Sequence, residues 1–374
     1  MADQLYFARH SKLIMKQGTN VWAMPVLDGF SFSQGTNTTE VTLNEMAASD
    51  GTSRRGRQMF TDSYNAAEFS FSTYARPFIA VPAASEGWEP TVANHHAVEE
   101  ALWANFVAVN SWASNAWAAG VTNGTSDVTF DFSESNKTTL GEFELYFVLG
   151  GCAPTGTPTI YKLDKCVLST ATVDFAIDGI ATISWAGKAS IITEEASAPT
   201  LTITEATSAT SNFIRNRLTT LSITAADTTT FPGTSNDGVY NAILTGGSIS
   251  FENNVSYLTP ETLCTVNQPI GSILGARTIG GSFNAYLNAE LGSTADLWED
   301  LIEATETVTN QFALTFSVGG SNAPRIEFAF PQCHLEVPTH SIDDVVGVAV
   351  NFSALPSSID GTDEATIKYV GTAY

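Results

Sequence analysis

The stretch Asp50–Pro77, DGTSRRGRQMFTDSYNAAEFSFSTYARP, decides how the rest of the chain is read. Its first part, Asp50 to Arg57, is polar, holds Gly51 and Gly56, and gathers Arg54, Arg55 and Arg57 in an otherwise acidic chain. Its second part, Glu68 to Tyr74, alternates. Phe69, Phe71 and Thr73 point one way, and Glu68, Ser70, Ser72 and Tyr74 the other, the period-two signature of a strand with one buried and one wet face. A basic loop, Asp50 to Phe60, therefore feeds a strand whose second face is hydroxylated. Such a loop exceeds a hairpin turn, and long loops in compact domains are commonly functional.

Working outward, short apolar segments upstream are broken by Gly18-Thr19-Asn20 and by Asp28-Gly29, both turn signals. Thr39 to Met46 alternates again. Downstream, Pro77 to Pro90 reads as a proline-rich connection. Ala97 to Val109 reads as a helix, with Val98, Leu102 and Phe106 at i and i+4 and Asn94 as its cap. Segments 128–132, 141–149, 166–177 and 181–192 read as strands. Small threonine-rich residues follow, a linker over 196–212. Beyond it come strands at 218–224, 241–251 and 278–287, a loop around Gln268 to Arg277, a helix at 295–304 and further strands.

That order is a repetition. Phe71 and Tyr74 match Phe283 and Tyr286 at a spacing of 212, and Leu102-Trp103 matches Leu297-Trp298 at 195. Cys166 and Leu168 match Cys333 and Leu335 at 167, a spacing that also sets Ile183 and Trp185 on Val350 and Phe352. The chain is therefore expected to be mainly β. Two tandem domains, 1–195 and 213–374, would each be a β-sandwich or partial barrel with one flanking helix and a long loop. Duplicated units present similar sheet edges, which invite pairing between chains.

Composition narrows the function. The 374 residues hold 16 basic and 39 acidic side chains, a formal charge of −23, with 43% apolar residues. Both halves are acidic: eleven basic against twenty-one acidic side chains up to Glu195, five against eighteen beyond it. Such a surface is unsuited to gripping nucleic acid, because duplex binding depends on neutralising phosphates. Cys152, Cys166, Cys264 and Cys333 show neither a disulfide framework nor zinc spacing and are expected as buried small hydrophobes. The polar start predicts synthesis in the cytoplasm without a signal peptide, and no stretch reaches membrane-span length.

Catalytic constellations are missing from the pattern. There is no GxSxG, HExxH, GxxxxGK[ST] or EF-hand loop. His95-His96 diverge on a helix, and His334 and His340 beside Cys333 complete no metal shell. Glu99-Glu100 and Asp343-Asp344 read as solvated faces. The arginines of the loop are expected to meet acidic protein surface. Neither enzyme nor cofactor is predicted.

Two runs, VLDGFSFSQGTNTTEVTLNE (Val26–Glu45) and SRRGRQMFTDSYNAAEFSFSTYARPF (Ser53–Phe78), with EEALWANF after them, resemble tail tube proteins of long-tailed bacteriophages. The closest likeness is to the siphophage type with two fused tube domains, over roughly the first third of the chain. The resemblance implies a structural subunit of the virion tail, made in the host cytoplasm, that stacks as rings around a lumen. Three chains would supply six tube units, a homotrimeric, pseudo-hexameric ring. Implied partners are further copies, the tape-measure protein, the tail terminator, distal tail or baseplate proteins, and DNA passing without sticking; no membrane insertion is implied. Arg54, Arg55, Arg57 and Phe60, with Ile273 and Arg277 in the second loop, would touch the neighbouring ring. Glu68, Ser70, Ser72, Ser282 and Asn284 would face the lumen, or else pack on a neighbour. With only seventeen residues after Ser357, the immunoglobulin-like domain of some fused relatives is expected to be absent. The competing class is a β-rich adhesin or carbohydrate-binding module, or another tail structural protein. It calls for a surface aromatic platform, whereas Trp103, Trp112 and Trp117 cluster about the helix.

Overall fold

A computed structural model of the chain describes residues 5–42, 57–80, 88, 92–132, 139–150, 157–203, 212–226, 231, 238–303, 312–342 and 344–372. Strands β1 (Lys12–Gln17) and β2 (Asn20–Met24) form a hairpin whose turn uses Gly18 at φ +58°, a backbone conformation that favours glycine. β3 (Ser31–Ser33) leads into β4 (Thr36–Thr42), which pairs with β5 (Arg57–Tyr64) as a separate two-stranded arm. The expected loop thus becomes a strand from Arg57 onward, and Asp50–Gly56 lies outside the described residues. β6 (Ala67–Tyr74) returns with the alternation read from the sequence, odd positions buried and even ones open.

The segment after β6 departs from its expected form. Pro77–Ile79 (β7) pairs with His95–Ala97 (β8), so α1 runs only over Glu100–Val107. Strand pairing claims Ala97, the first residue expected to be helical, and the helix begins three residues later. Asn94 donates to Asn123 O (3.1 Å) instead of capping, and Glu99 takes the cap position without a side-chain capping bond. β9 (Trp112–Ala113), β10 (Ala116–Trp117), β11 (Val121–Asn123) and β12 (Val128–Asp131) complete the cover over the helix. Every residue of α1 is buried, and Trp103 meets Trp185 and Phe251 with ring centres 4.8 and 5.4 Å apart.

β13 (Phe143–Leu149), β14 (Thr159–Ala176), β15 (Thr182–Ala189) and β16 (Ile192–Glu195) finish the first half. β14 belongs to two layers. Its first part pairs with β13 and β16, its last part with β15 and with the second half. Lys165 at φ +51° and a register shift opposite Phe143 mark the bend, a common way for a strand to turn a corner.

The second half runs β17 (Thr220–Ala225), β18 (Val239–Asn241) and β19 (Leu244–Glu252). A shorter arm of β20 (Val255–Leu258) and β21 (Gly271–Leu274) precedes β22 (Thr278–Tyr286). Then come α2 (Thr294–Glu303), β23 (Phe312–Val318), β24 (Arg325–Leu335), β25 (Thr339–Ile342), β26 (Val346–Ala354) and β27 (Thr366–Val370). Pairings recur between the halves. Phe143 lies opposite Cys166 and Phe312 opposite Cys333, each just before a register shift. Phe71 faces Trp185 as Phe283 faces Val350. The positional partner of Trp185 is therefore Val350, two residues from the Phe352 that sequence spacing gave.

The whole is mainly β with two helices among the described residues, in packed sheets that do not close into a barrel. Its main core is one apolar cluster running through both halves, with two small clusters beside it. Burial of some tens of large side chains at about 25 cal/mol per Å² is the main term holding the layers together.

Candidate functional site

Eight antiparallel strands share one sheet in the order β3-β6-β15-β14-β19-β22-β26-β25. Register carries side-chain parity from one strand to the next. One row reads Ser72, Ser184, Thr172, Ser250, Gly280, Ser353; another reads Tyr74, Thr182, Asp174, Ser248, Ser282, Asn351. A third ends Ala176, Gly246, Asn284, Ala349, Thr339. Glu68, Ser70, Ser72, Ser282 and Asn284 therefore all lie on one face. The opposite face holds Phe71, Trp185, Val173, Ile249, Phe283 and Val350, every one buried.

Hydroxyls on this face bond across strands: Ser31 to Ser70 (2.9 Å) and Ser72 to Ser184 (3.1 Å). Its acids are Glu68, Asp174 and Glu252, joined at the rim by Glu336, which accepts from Asn351 Nδ2 (2.8 Å). Lys188, opposite Glu68, is the lysine of the face. Small hydroxylated side chains with a net acidic balance offer a polyanion nothing to hold it.

The base of the first arm meets the connection between β20 and β21, beyond the far end of the second arm's ladder. Tyr64 N donates to Asn267 O (2.9 Å), and Asn267 N donates to Asp62 O (3.1 Å). Along the first arm, Arg57 forks onto Glu40 (2.6 and 2.7 Å), so its charge is partly neutralised within the chain. Phe60 and Ile273 are exposed at 54% and 51%, apolar positions open to a neighbour. Arg54 and Arg55 fall outside the described residues.

Arg277 differs from its expected role. Its side chain is only 3% exposed, 3.7 Å from the buried carboxylate of Glu364 and over the ring of Phe132. It donates to Val107 O (3.1 Å) and Asn253 Oδ1 (3.4 Å), ending α1 in place of a loop cap. The residue closes the interior; it does not reach outward.

Glu99 and Glu100 also differ, being fully buried and not solvated. Glu100 accepts from Trp117 Nε1 (2.7 Å), Asn123 Nδ2 (3.1 Å) and Ala97 N (3.1 Å), and lies 2.9 Å from His96 Nδ1. Burial pushes Glu99 up to about 7, against bonds from Tyr369 and the backbone that lower it. Glu144 shows the opposite balance. Burial raises it, but Lys162, Lys16 and Tyr146 together hold it near 2. Cys166 and Cys333 are buried as expected; Cys264 is exposed, in a turn with φ +73° between β20 and β21. No group of three or more metal-ligating side chains occurs among the described residues.

The sequence pointed to the polar face on β6 and β22, but not to the strands that make it continuous. Thr170, Thr172 and Asp174 alternate with Ala171, Val173 and Phe175, a signal that could have placed β14 between them. Nothing in the sequence marked Glu364 as the partner of Arg277.

Among the described residues this sheet has no strand beyond β3 or β25 and carries two arms, an architecture of hydroxylated face and apolar core suited to a structural protein. No protein-family model matches the chain. It is 30% identical over 360 residues to tail tube protein pb6 of Escherichia phage T5, an alignment spanning 94% of this chain and 71% of that protein. The chain belongs to the bacteriophage tail tube proteins, structural components of the virion tail and not enzymes.

Proposed function

We propose that the chain assembles as stacked homotrimeric rings whose polar sheet face lines a lumen. The tape-measure protein fills that lumen first and DNA passes through it at ejection. Each chain supplies two tube units, 1–195 and 213–374, so three copies make a pseudo-hexameric ring. The arms, through Phe60, Ile273 and the Arg54–Arg57 segment, reach the next ring. Tail terminator and distal tail or baseplate proteins close the ends. Synthesis takes place in the host cytoplasm.

The observation that carries this reading is the continuity of one small, hydroxylated, net-acidic face across both halves. Register adds a second support. Stepping from β6 through β15, β14 and β19 to β22, Tyr74 leads to Ser282, whereas its repeat counterpart Tyr286 lies four residues on. Four residues of ~3.4 Å against four strand spacings of ~4.8 Å tilt the strands by roughly 35° in any ring repeating this unit, the range of closed barrels. Three copies of eight strands at that tilt enclose roughly 45 Å between backbones, well beyond the size at which barrels hold an aqueous channel.

Negative-stain microscopy with light scattering tests the assembly: hollow stacked rings of three chains are expected, and six chains per ring would exclude the pseudo-hexamer. Tubes carrying Ser70→Lys and Ser282→Lys test the face. They should retain duplex DNA at salt concentrations where wild-type tubes release it. A stable monomer that binds glycans would instead establish the adhesin reading.

A further inference from the structure

Register relates the two ends of the polar sheet to its middle. Phe71 and Phe283 are repeat counterparts, and they lie opposite Trp185 and Val350, so Ser184 corresponds to Ala349. Thr172 lies opposite Ser184 and Thr339 opposite Ala349. β25 is thus the counterpart of the last part of β14, with Thr339 standing for Thr172 and Ile342 for Phe175. On the other side Ser31 lies opposite Ser70 and Ser248 opposite Ser282. β3 is thus the counterpart of β19, with Ser33 standing for Ser250 and Phe30 for Gly247. In the middle of the sheet β14 and β19 are paired with each other. Their counterparts are the two outermost strands, each with one strand neighbour among the described residues.

We propose that β25 of one copy pairs antiparallel with β3 of a second copy, in the register that β14 and β19 already use. Thr339 then lies opposite Ser33 of the partner subunit, and Ile342 opposite Phe30 of the partner subunit. This rests on the tube reading and gives it a residue-level joint.

Side-chain volumes at the two joints agree. Inside the chain Phe175 faces Gly247 and packs on Phe316 at 5.6 Å. Phe147 is the counterpart of Phe316, each four residues beyond the phenylalanine opposite a matched cysteine. In the single chain Phe30 already packs on Phe147, at 5.7 Å. The slot that Phe175 fills across the inner joint is therefore filled at the outer one by Phe30. An incoming residue smaller than phenylalanine is then required, and position 342 holds isoleucine. Phe175 is 4% exposed and Ile342 is 83% exposed, an apolar side chain on a strand edge, where solitary proteins usually place charge. Main-chain pairing gives such a joint its affinity, and alternate side chains give it register.

Engineered cysteines test the joint in assembled tubes of the full chain, in a Cys152→Ser, Cys264→Ser background. Thr339→Cys with Ser33→Cys, oxidised by copper phenanthroline, should give covalent multimers reaching three chains that reductant returns to monomer. Thr172→Cys with Ser250→Cys, the inner counterpart, should cross-link within one chain. Thr339→Cys with Ser31→Cys, slipped by two residues, should yield at least ~fivefold less product, because disulfides need Cβ atoms within about 4.5 Å. If the double variant does not accumulate, tubes mixed from the two single variants test the same pair, with reducible covalent dimers as the expected product because each chain then carries one engineered cysteine. Tubes that form without the cross-link, or that favour the slipped pair, overturn this joint while leaving the tube reading intact. A wild-type chain that makes neither rings nor tubes overturns both.

Discussion

Phe175 lies directly opposite Gly247 at the seam where the strands of the two halves meet. A Cβ on Gly247 would come 2.8 Å from the Phe175 ring and 2.5 Å from Ser282 O. The ring occupies the volume that a side chain would need. Gly247→Val should overpack the seam and cost about 1–3 kcal/mol. That appears as a lower urea midpoint at unchanged slope. A wild-type midpoint would mean that the ring can leave its place freely.

Ile342→Asp separates assembly from folding. An exposed side chain contributes little to the stability of the single chain, so the melting temperature should stay within a few degrees of wild type. An uncompensated charge carried into a joint between copies costs several kcal/mol. Sedimentation should show monomer at concentrations where the wild type is polymerised. Unimpaired tubes would remove Ile342 from the interface.

The two arginines make a matched comparison. Arg57→Ala breaks a pair whose members are 68% and 35% exposed and should change stability by no more than about 1 kcal/mol. Arg277→Met removes the cation 3.7 Å from the buried carboxylate of Glu364, together with the bonds to Val107 O and Asn253 Oδ1, and should cost about 3–5 kcal/mol. Denaturant titration of both variants checks the contrast. Equal effects would show that Arg277 is solvated.

Glu99 sets a pH dependence of definite sign. Its carboxyl titrates near 4.5 when unperturbed and about 7 in the fold. Between those values the folded chain holds a proton that the unfolded chain has released, so stability falls as pH rises through this window and is level above it. Glu99→Gln has no proton to lose. The variant should gain on wild type between pH 4 and pH 8, by ~2–4 °C of melting temperature for each kcal/mol involved. Glu144 acts at the other end, where its contribution, present above about 4.5, is lost as pH falls toward 2. Parallel melting curves of Glu99→Gln and wild type across both ranges would exclude the assignment to Glu99.

Alternation made β6 and β22 readable, because a strand with one wet face writes its geometry into every second residue. Phe71 and Cys166, matched in the sequence to Phe283 and Cys333, mark pairings that recur in the two halves. Three features were not. Ala97 reads as the start of the helix, but a long-range partner at Pro77–Ile79 claims its backbone together with that of His95-His96. Glu99 and Glu100 look like a solvated pair until the tryptophans cover them. Arg277 sits in a loop-like stretch, and its partner is eighty-seven residues away. Each depends on which distant segment arrives beside it, information that neither period nor composition carries.

The bond between the two arms through Asn267 has a mechanical meaning. The extensions leave from different halves of the chain, yet Asp62 and Tyr64 of one are tied to the backbone of the other. A displacement of Asp62–Tyr64 at the base of the first arm is therefore felt directly in the connection that joins β20 to β21. It then passes into the ladder from Thr170 to Ala176, paired with Gly246 to Glu252. Force along those strands strains every rung together and opens none of them singly.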